Sequence, residues 1–303
     1  MEVMTARPFG RTGLQVSPLG LGAGQIGDEA LAEAACERLI RDAVELGITL
    51  FDTARSYGRS EERLGRYLAP VRDRVVISTK IGYGIDGVAD WTGECIRRGV
   101  ERALAVLATD RIDIVHLHSC PIEILARGEV IAALLDARQA GKLRCAAYSG
   151  DNDALAWALA CGQFDALQMS WSVCDQHAAP IVAGAAAAGL GVIAKRPLAN
   201  APWRFAARPV GDECEPYWER LQALALGPIL APVMDASGLG WDAIAARFAA
   251  HTPGVSAAIT GTRSAAHLRD NAARVAAGPL PPAIVDAIRD RYAAVGAAWP
   301  GRI

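Results

Sequence analysis

The feature that most constrains the fold is an eightfold alternation. Short runs rich in β-branched and other apolar residues begin at Pro18, Ile48, Val75, Ile112, Leu143, Asp165, Gly191 and Ser256, and longer stretches with helical periodicity lie between them. Repeated strand and helix units of this kind predict a parallel sheet with helices packed outside it. Residues 28–46, 92–108, 122–140 and 176–188 read as amphipathic helices, with Gly47, Gly141 and Gly189 as stop signals after three of them. Eight right-handed crossovers close a parallel sheet into a barrel, so the expected fold is a single (β/α)8 TIM barrel over residues 1–303. A short β-hairpin around residues 11–14 is expected to precede the first strand. No Gly/Ser/Pro-rich linker or shift in composition divides the chain.

One connection is out of scale. After the seventh strand, residues 196–240 form a link far longer than an ordinary strand-to-helix loop, and they carry Trp203, Phe205, Tyr217 and Trp218. The link leaves from the barrel face on which active sites of this fold lie, so it is expected to cover a ligand.

Charge narrows the class of partner. Thirty-one basic residues face thirty-three acidic ones without a long run of either sign, which argues against a nucleic-acid arm or an anionic-membrane patch and for a small-molecule partner. The longest uncharged run, residues 181–194, is too short and too rich in Ala and Gly to span a bilayer, and the opening MEVMTARPFG has no apolar leader core. Seven cysteines, none in C-x-x-C spacing, suit free thiols in a cytoplasmic protein.

In a closed barrel the side chains at the C-terminal strand ends converge on one pocket. Asp52 closes the second strand, Tyr57 follows in DTARSYG, Lys80 closes the third strand in VVISTK, and His118 closes the fourth in IVHLH. These types fit carbonyl reduction by hydride, where an alkoxide develops and must receive a proton. A phenol can supply it, although its reference pKa of about 10 is high for transfer near neutrality unless an adjacent ammonium favours the phenolate. Lys80 supplies the ammonium, Asp52 its counter-charge, and His118 can orient and polarise the substrate oxygen. Taken singly, each is equally a barrel ion pair or a rim tyrosine. The four together at successive strand mouths point to catalysis.

The runs FGRTGLQVSPLGLG, GITLFDTARSYGRSEERLG, STK, DRIDIVHLHSC and GTRSAAHLRDNAA resemble the aldo-keto reductase family in order and spacing over essentially the whole chain. The resemblance implies a (β/α)8 barrel, an NAD(P)-dependent oxidoreductase acting on an aldehyde, ketone or sugar, and a catalytic tetrad on Asp52, Tyr57, Lys80 and His118. It also implies that Ser149 and Gln168 hold a nicotinamide carboxamide while Gly22 and Ala23 pass close by. Lys195, Arg196 and Leu198, after the seventh strand, belong to the same cofactor groove. At the adenosine end it implies that Thr262, Arg263 and the helix opening at Ser264 take a 2′-phosphate, with Gly261 and His267 beside them and Asn271 on the adenine. No G-x-G-x-x-G fingerprint is present, so a dinucleotide would bind without a Rossmann turn. NADP is the expected cofactor ahead of NAD. Read from the residues alone, GTRS is equally an ordinary helix start capped by Ser264.

Several positions depart from the family pattern. Gly150 stands where many members carry Asn, with Asn152 two residues on; Lys195 or Arg196 stands where an aromatic ring often lies under the nicotinamide, and the Lys195 stem can replace it. Gly261 and His267 occupy places where Lys and Arg often bind the phosphate, leaving Arg263 to compensate. Ser119 replaces a frequent Trp, so Trp91 and Trp203 are the candidate aromatic walls for substrate, though either can be a packing residue. The DWT and AKRPLAN runs are most similar to sugar- or galactose-dehydrogenase-like branches of the family and to uncharacterised bacterial members.

His116 faces the same side of its strand as His118 and lies one layer deeper, which suits a hydrogen-bonded core histidine. The pair also admits a metal-dependent, amidohydrolase-like barrel, although, His177 apart, the candidates His251 and His267 lie away from the later strand ends and no metal is expected. A non-catalytic nicotinamide-binding accessory subunit is a third reading.

Overall fold

In the computed structural model, which describes residues 4–302, the alternation closes as a barrel. The strands are β1 (Arg7–Pro8), β2 (Gln15–Val16), β3 (Leu19–Gly22), β4 (Leu50–Asp52), β5 (Val76–Ile81), β6 (Ile112–His118), β7 (Leu143–Ser149), β8 (Ala166–Ser170), β9 (Gly191–Lys195) and β10 (Ala257–Gly261). Strands β3 to β10 pair in parallel in sequence order, and β10 returns to β3, so no edge is left open. Residues 1–3 and 303, the ends of the expected 1–303 domain, lie outside the described residues. Among the described residues no helix is long and apolar enough to cross a membrane.

Period two sorts each strand into an inner and an outer face. Leu50, Val76, Ile114, Cys145, Ala147, Ala166, Ile193, Ala257 and Ile259 fill the barrel, whereas Phe51, Ile77, Val115, Leu117 and Leu167 pack against the surrounding helices. Continuing each inner row toward the C-terminal end gives Asp52, Lys80, His118, Ser149, Gln168 and Lys195, so the apolar interior changes to polar at one mouth.

The other mouth is plugged. β1 and β2 form an antiparallel hairpin whose loop carries Phe9, which is fully buried in the inner cluster with Leu14 and Val16. The start of β9 must be Gly191, because a Cβ there would sit 2.4 Å from the Phe9 ring.

The sequence expectations differ from the structure where turns intervene. The 28–46 segment is helical only from Glu33 to Glu45, and 122–140 splits into Ile122–Leu125 and Glu129–Gln139 around Gly128, whose φ of 77° breaks the helix. The long 196–240 link contains a 3-10 turn, Pro202–Arg204, and two helices, Glu215–Leu224 and Leu226–Ser237.

Phe9→Ala removes the plug and leaves a cavity under the inner core. An unfolding free energy lower by about 3–5 kcal/mol is expected in urea titration; a loss under about 1 kcal/mol would mean that the hairpin does not seal the barrel.

Candidate active site

Asp52 and Lys80 occupy the polar layer, each only 2% exposed. Lys80 Nζ donates to Asp52 Oδ2 at 2.6 Å and to the Thr53 carbonyl at 2.8 Å. Asp52 Oδ1 accepts from Ser78 Oγ at 2.7 Å and from Gln168 Nε2 at 2.9 Å, and Ser149 Oγ donates to Gln168 Oε1 at 2.8 Å. Burial alone pushes the Asp52 carboxyl up, but the Lys80 charge, His116 and these hydrogen bonds hold it below the usual carboxylate range. Burial likewise opposes the Lys80 ammonium, yet Asp52 and the Tyr57 phenol hold it above the usual lysine range. Both groups are therefore charged near neutrality.

Tyr57 lies on the loop after β4, with the Lys80 ammonium 4.9 Å from its ring centroid. Its ring meets His118 edge-on, centroids 6.0 Å apart. Burial, followed by the nearby Lys80 charge, pushes the His118 imidazole down to about 3, so it is neutral at working pH. His116 lies beneath in the same strand: its Nε2 is 3.0 Å from Ser78 Oγ, and because that hydroxyl donates to Asp52, His116 donates to it. Burial pushes His116 down to about 4.

A cavity of about 1330 Å³ opens at this mouth and runs from Tyr57, Lys80 and His118 to the N-terminus of the Ala265–Ala276 helix. It is lined by Gly22, Asp52, Ser119, Ser149, Gln168, Lys195, Arg196, Leu198, Gly261, Thr262, Arg263, His267 and Asn271 as well. Typical small-molecule pockets hold roughly 300–1,000 Å³, so this one has room for a dinucleotide and a substrate together. Thr260 is also at this wall, and its buried hydroxyl, on the side of β10 opposite to inward-facing Ile259, has no hydrogen-bond partner. Ala23 lies just under the surface, its N–H donating to the Asp52 carbonyl at 2.7 Å.

At the far end, Ser264 caps the helix by accepting from the His267 N–H at 3.3 Å, and Thr262 Oγ1 accepts from the Ser264 N–H at 3.0 Å. Arg263 reaches across to Asp28, Nη2 to Oδ2 at 2.6 Å, and Asn271 accepts from Arg274 at 3.0 Å. Asp28 is held there because fully buried Arg63 donates to the carbonyls of Ile26, Asp28 and Leu31. On the opposite wall Lys195 Nζ donates to Asp151 Oδ2 at 2.6 Å, and Arg196 donates to the Tyr217 hydroxyl at 3.4 Å.

The two tryptophans stand back from the cavity. Trp203 stacks on Trp241 and donates to Asp242 at 3.0 Å, and Trp91 packs edge-on against Tyr83, which lies between it and His118. Gly150 has a packing cause: a Cβ there would fall 2.5 Å from the Tyr148 hydroxyl, which donates to the Cys120 carbonyl. Among the described residues no three His, Cys, Asp or Glu side chains gather as a metal-binding group, and His116 and His118 turn to separate hydroxyls, Ser78 and Tyr83.

Sequence reasoning missed Ser78, Tyr83 and Asp28. Ser78 was findable, since it lies two residues before Lys80 and so shares its face. Tyr83 and Asp28 sit on loops, where no periodicity marks direction.

Comparison with known proteins follows this geometry. The model of the Aldo/keto reductase family matches residues 18–292. An Arabidopsis thaliana L-galactose dehydrogenase is 34% identical over 159 residues, 50% of this chain and 50% of that protein, and an Escherichia coli NADH-specific methylglyoxal reductase is 32% identical over 193 residues, 56% and 59%. The chain thus spans about half the length of the curated relatives it matches first. A solved Pseudomonas aeruginosa structure carrying the same family assignment is 32% identical over 90% of this chain and 94% of that one, with a TM-score of 0.71. A Bacillus halodurans aldo-keto reductase, 23% identical and covering 97% of both chains, superposes with a TM-score of 0.81 and attests the fold.

Fully buried His116 sets an acid sensitivity. Native His116 stays neutral down to about 4, whereas the unfolded chain binds that proton below about 6.5, so between these values unfolding takes up a proton and stability falls as pH falls. His116→Gln should therefore flatten the dependence of unfolding free energy on pH between 4.5 and 6 by about 1.4 kcal/mol per pH unit. Parallel curves for the two proteins in urea titrations would contradict the assigned burial of a neutral imidazole.

Proposed function

The chain belongs to the aldo/keto reductase family, and on that premise we propose that it is an NAD(P)-dependent oxidoreductase in which Tyr57 exchanges a proton with a carbonyl or alcohol oxygen. The observation that carries the reading is Lys80, paired to Asp52 at 2.6 Å and 4.9 Å from the Tyr57 ring, in the wall of a cavity large enough for two ligands. When bound, the nicotinamide supplies or accepts the hydride.

Everything else falls to side chains of this chain. Tyr57 gives its proton to the substrate oxygen as negative charge develops there, and the Lys80 ammonium stabilises the phenolate left behind. Asp52 keeps Lys80 charged in a site from which water is largely excluded. His118, neutral near pH 7, contacts the same oxygen as a hydrogen-bonding group and does not compete as an acid. Ser149 and Gln168 are the proposed carboxamide ligands, supported by their place in the cavity wall and by the mutual hydrogen bond that fixes both amide and hydroxyl.

The substrate proposed is a small aldehyde or a sugar. Relatives described as L-galactose dehydrogenase, 6-dehydroglucose reductase and methylglyoxal reductase support that class. The Lys195 and Asp151 pair adds polar character to the wall beside His118. Seven free cysteines suit the cytoplasmic setting proposed here. NADP(H) is the proposed cofactor, with Arg263 beside the capped helix N-terminus as the phosphate ligand and Asp28 as its competitor.

Two measurements test the reading. Tyr57→Phe should lower kcat by about 10²–10⁴ while the dissociation constant for NADPH, read by fluorescence titration, stays within about twofold; wild-type turnover in that variant would sink the role of Tyr57. Asp28→Asn should tighten NADPH by about three- to fivefold relative to NADH, the scale of a partly exposed ion pair. An unchanged ratio would show that Arg263 is not the phosphate ligand.

A further inference from the structure

Tyr83 is not among the residues that line the cavity, yet it makes a close polar contact to His118, which does. Its Oη lies 2.8 Å from His118 Nδ1, and its ring stacks on the imidazole with centroids 5.7 Å apart and planes 24° from parallel. Trp91 backs Tyr83 edge-on at 5.7 Å. Trp91 is itself fixed: its backbone N–H donates to the Gly82 carbonyl at 2.8 Å, and its ring lies so close over Gly82 that a Cβ there would fall 2.0 Å from it. The imidazole is thus held by a stacked phenol whose own position is locked from behind.

We propose that Tyr83 is a positioning residue for the reaction: its hydroxyl donates to His118 Nδ1, which leaves the single imidazole proton on Nε2, facing the substrate oxygen. The argument is one of proton accounting. A neutral imidazole has one N–H and one bare nitrogen, and burial beside Lys80 keeps His118 neutral. A phenolic O–H is a stronger donor than a neutral imidazole N–H and a weaker acceptor than the bare nitrogen, so the shared contact is O–H to Nδ1. Ser56 Oγ lies 3.2 Å from the same Tyr83 oxygen and competes for the phenolic proton, but the shorter 2.8 Å contact to the more basic Nδ1 takes it. Among the described residues no hydrogen bond is formed to Nε2, and His118 lines the cavity, so that N–H is left for a ligand there. The opposite tautomer would turn a lone pair toward the carbonyl oxygen and repel it.

The catalytic half of this inference rests on the function proposed above; the tautomer half does not. The test combines nitrogen NMR of histidine-labelled protein without cofactor or substrate, assigned through His118→Asn, with kinetics of Tyr83→Phe, which keeps the stacked ring and loses only the hydroxyl. The wild type should show His118 protonated at Nε2 with Nδ1 as a hydrogen-bonded acceptor, and Tyr83→Phe should shift the Nδ1 resonance toward that of a free acceptor. The variant's kcat should fall about tenfold with KM changed less than twofold. A wild-type spectrum with the proton on Nδ1, or a variant whose spectrum or kcat equals that of the wild type, would overturn the proposal. An inactive wild type with the expected spectrum would instead count against the function and leave the tautomer assignment standing.

Discussion

The site depends on one buried ion pair. Moving a carboxylate and an ammonium out of water costs several kcal/mol for each, and their mutual attraction offsets this only if the remaining lone pairs and protons find partners. Asp52 and Lys80 meet that condition: Ser78 and Gln168 donate to one carboxylate oxygen, Lys80 to the other, and the Thr53 carbonyl takes a second ammonium proton. Each satisfying group fixes another. Gln168 is oriented by Asp52 and in turn orients Ser149; Ser78 is oriented by Asp52 and in turn assigns the proton of His116. The proposed cofactor ligands and the charged lysine beside Tyr57 are therefore one hydrogen-bonded unit.

That unit was legible because it sits on strands. A two-residue period converts a position in the sequence into a direction in the barrel, so Asp52, Lys80 and His118 follow from the strand ends, whereas Ser149, Gln168 and Lys195 are named through the family resemblance and lie in the same inner layer. The strands themselves start within two residues of the positions read from the sequence. The loops gave no such rule. The helix expected from residue 28 begins at Glu33, because Arg63, distant in sequence, captures the carbonyls of Ile26, Asp28 and Leu31 in a turn. No local pattern reveals that capture, and without it Asp28 cannot be placed against Arg263. Tyr83 escaped notice for the same reason, since Trp91 is the larger ring on the same loop and only the three-dimensional packing shows which of the two touches His118.

Departures from the family pattern become intelligible as exchanges of space and charge. Gly150 leaves no room for a side chain because Tyr148, two residues earlier on β7, has turned its hydroxyl into that volume to reach the Cys120 carbonyl. Lys195, which with Arg196 shares the stretch where a stacking ring is common, has its charge matched by Asp151, whose other oxygen accepts the Ser170 N–H. Burial still outweighs Asp151 and holds the Lys195 ammonium below the usual lysine range. A wall that in an aromatic version would offer only a flat apolar face here offers a polar one.

The same matching recurs at the end proposed to take the adenosine, where Arg263 is paired with Asp28 and Arg274 lies 3.6 Å from Asp242. A cavity lined by cations that are already answered by carboxylates attracts a dianionic phosphate less strongly than one with free cations, because the ligand must displace a carboxylate as well as shed its own water. Partly exposed pairs of this kind are worth little, at most about 1 kcal/mol. The discrimination they impose is correspondingly shallow, within the range that a single carboxylate can tune. The buried pair at the catalytic end has no such latitude. Solvent screens and loosens the charges that would choose the cofactor's phosphate, while burial locks the charges that would move the proton.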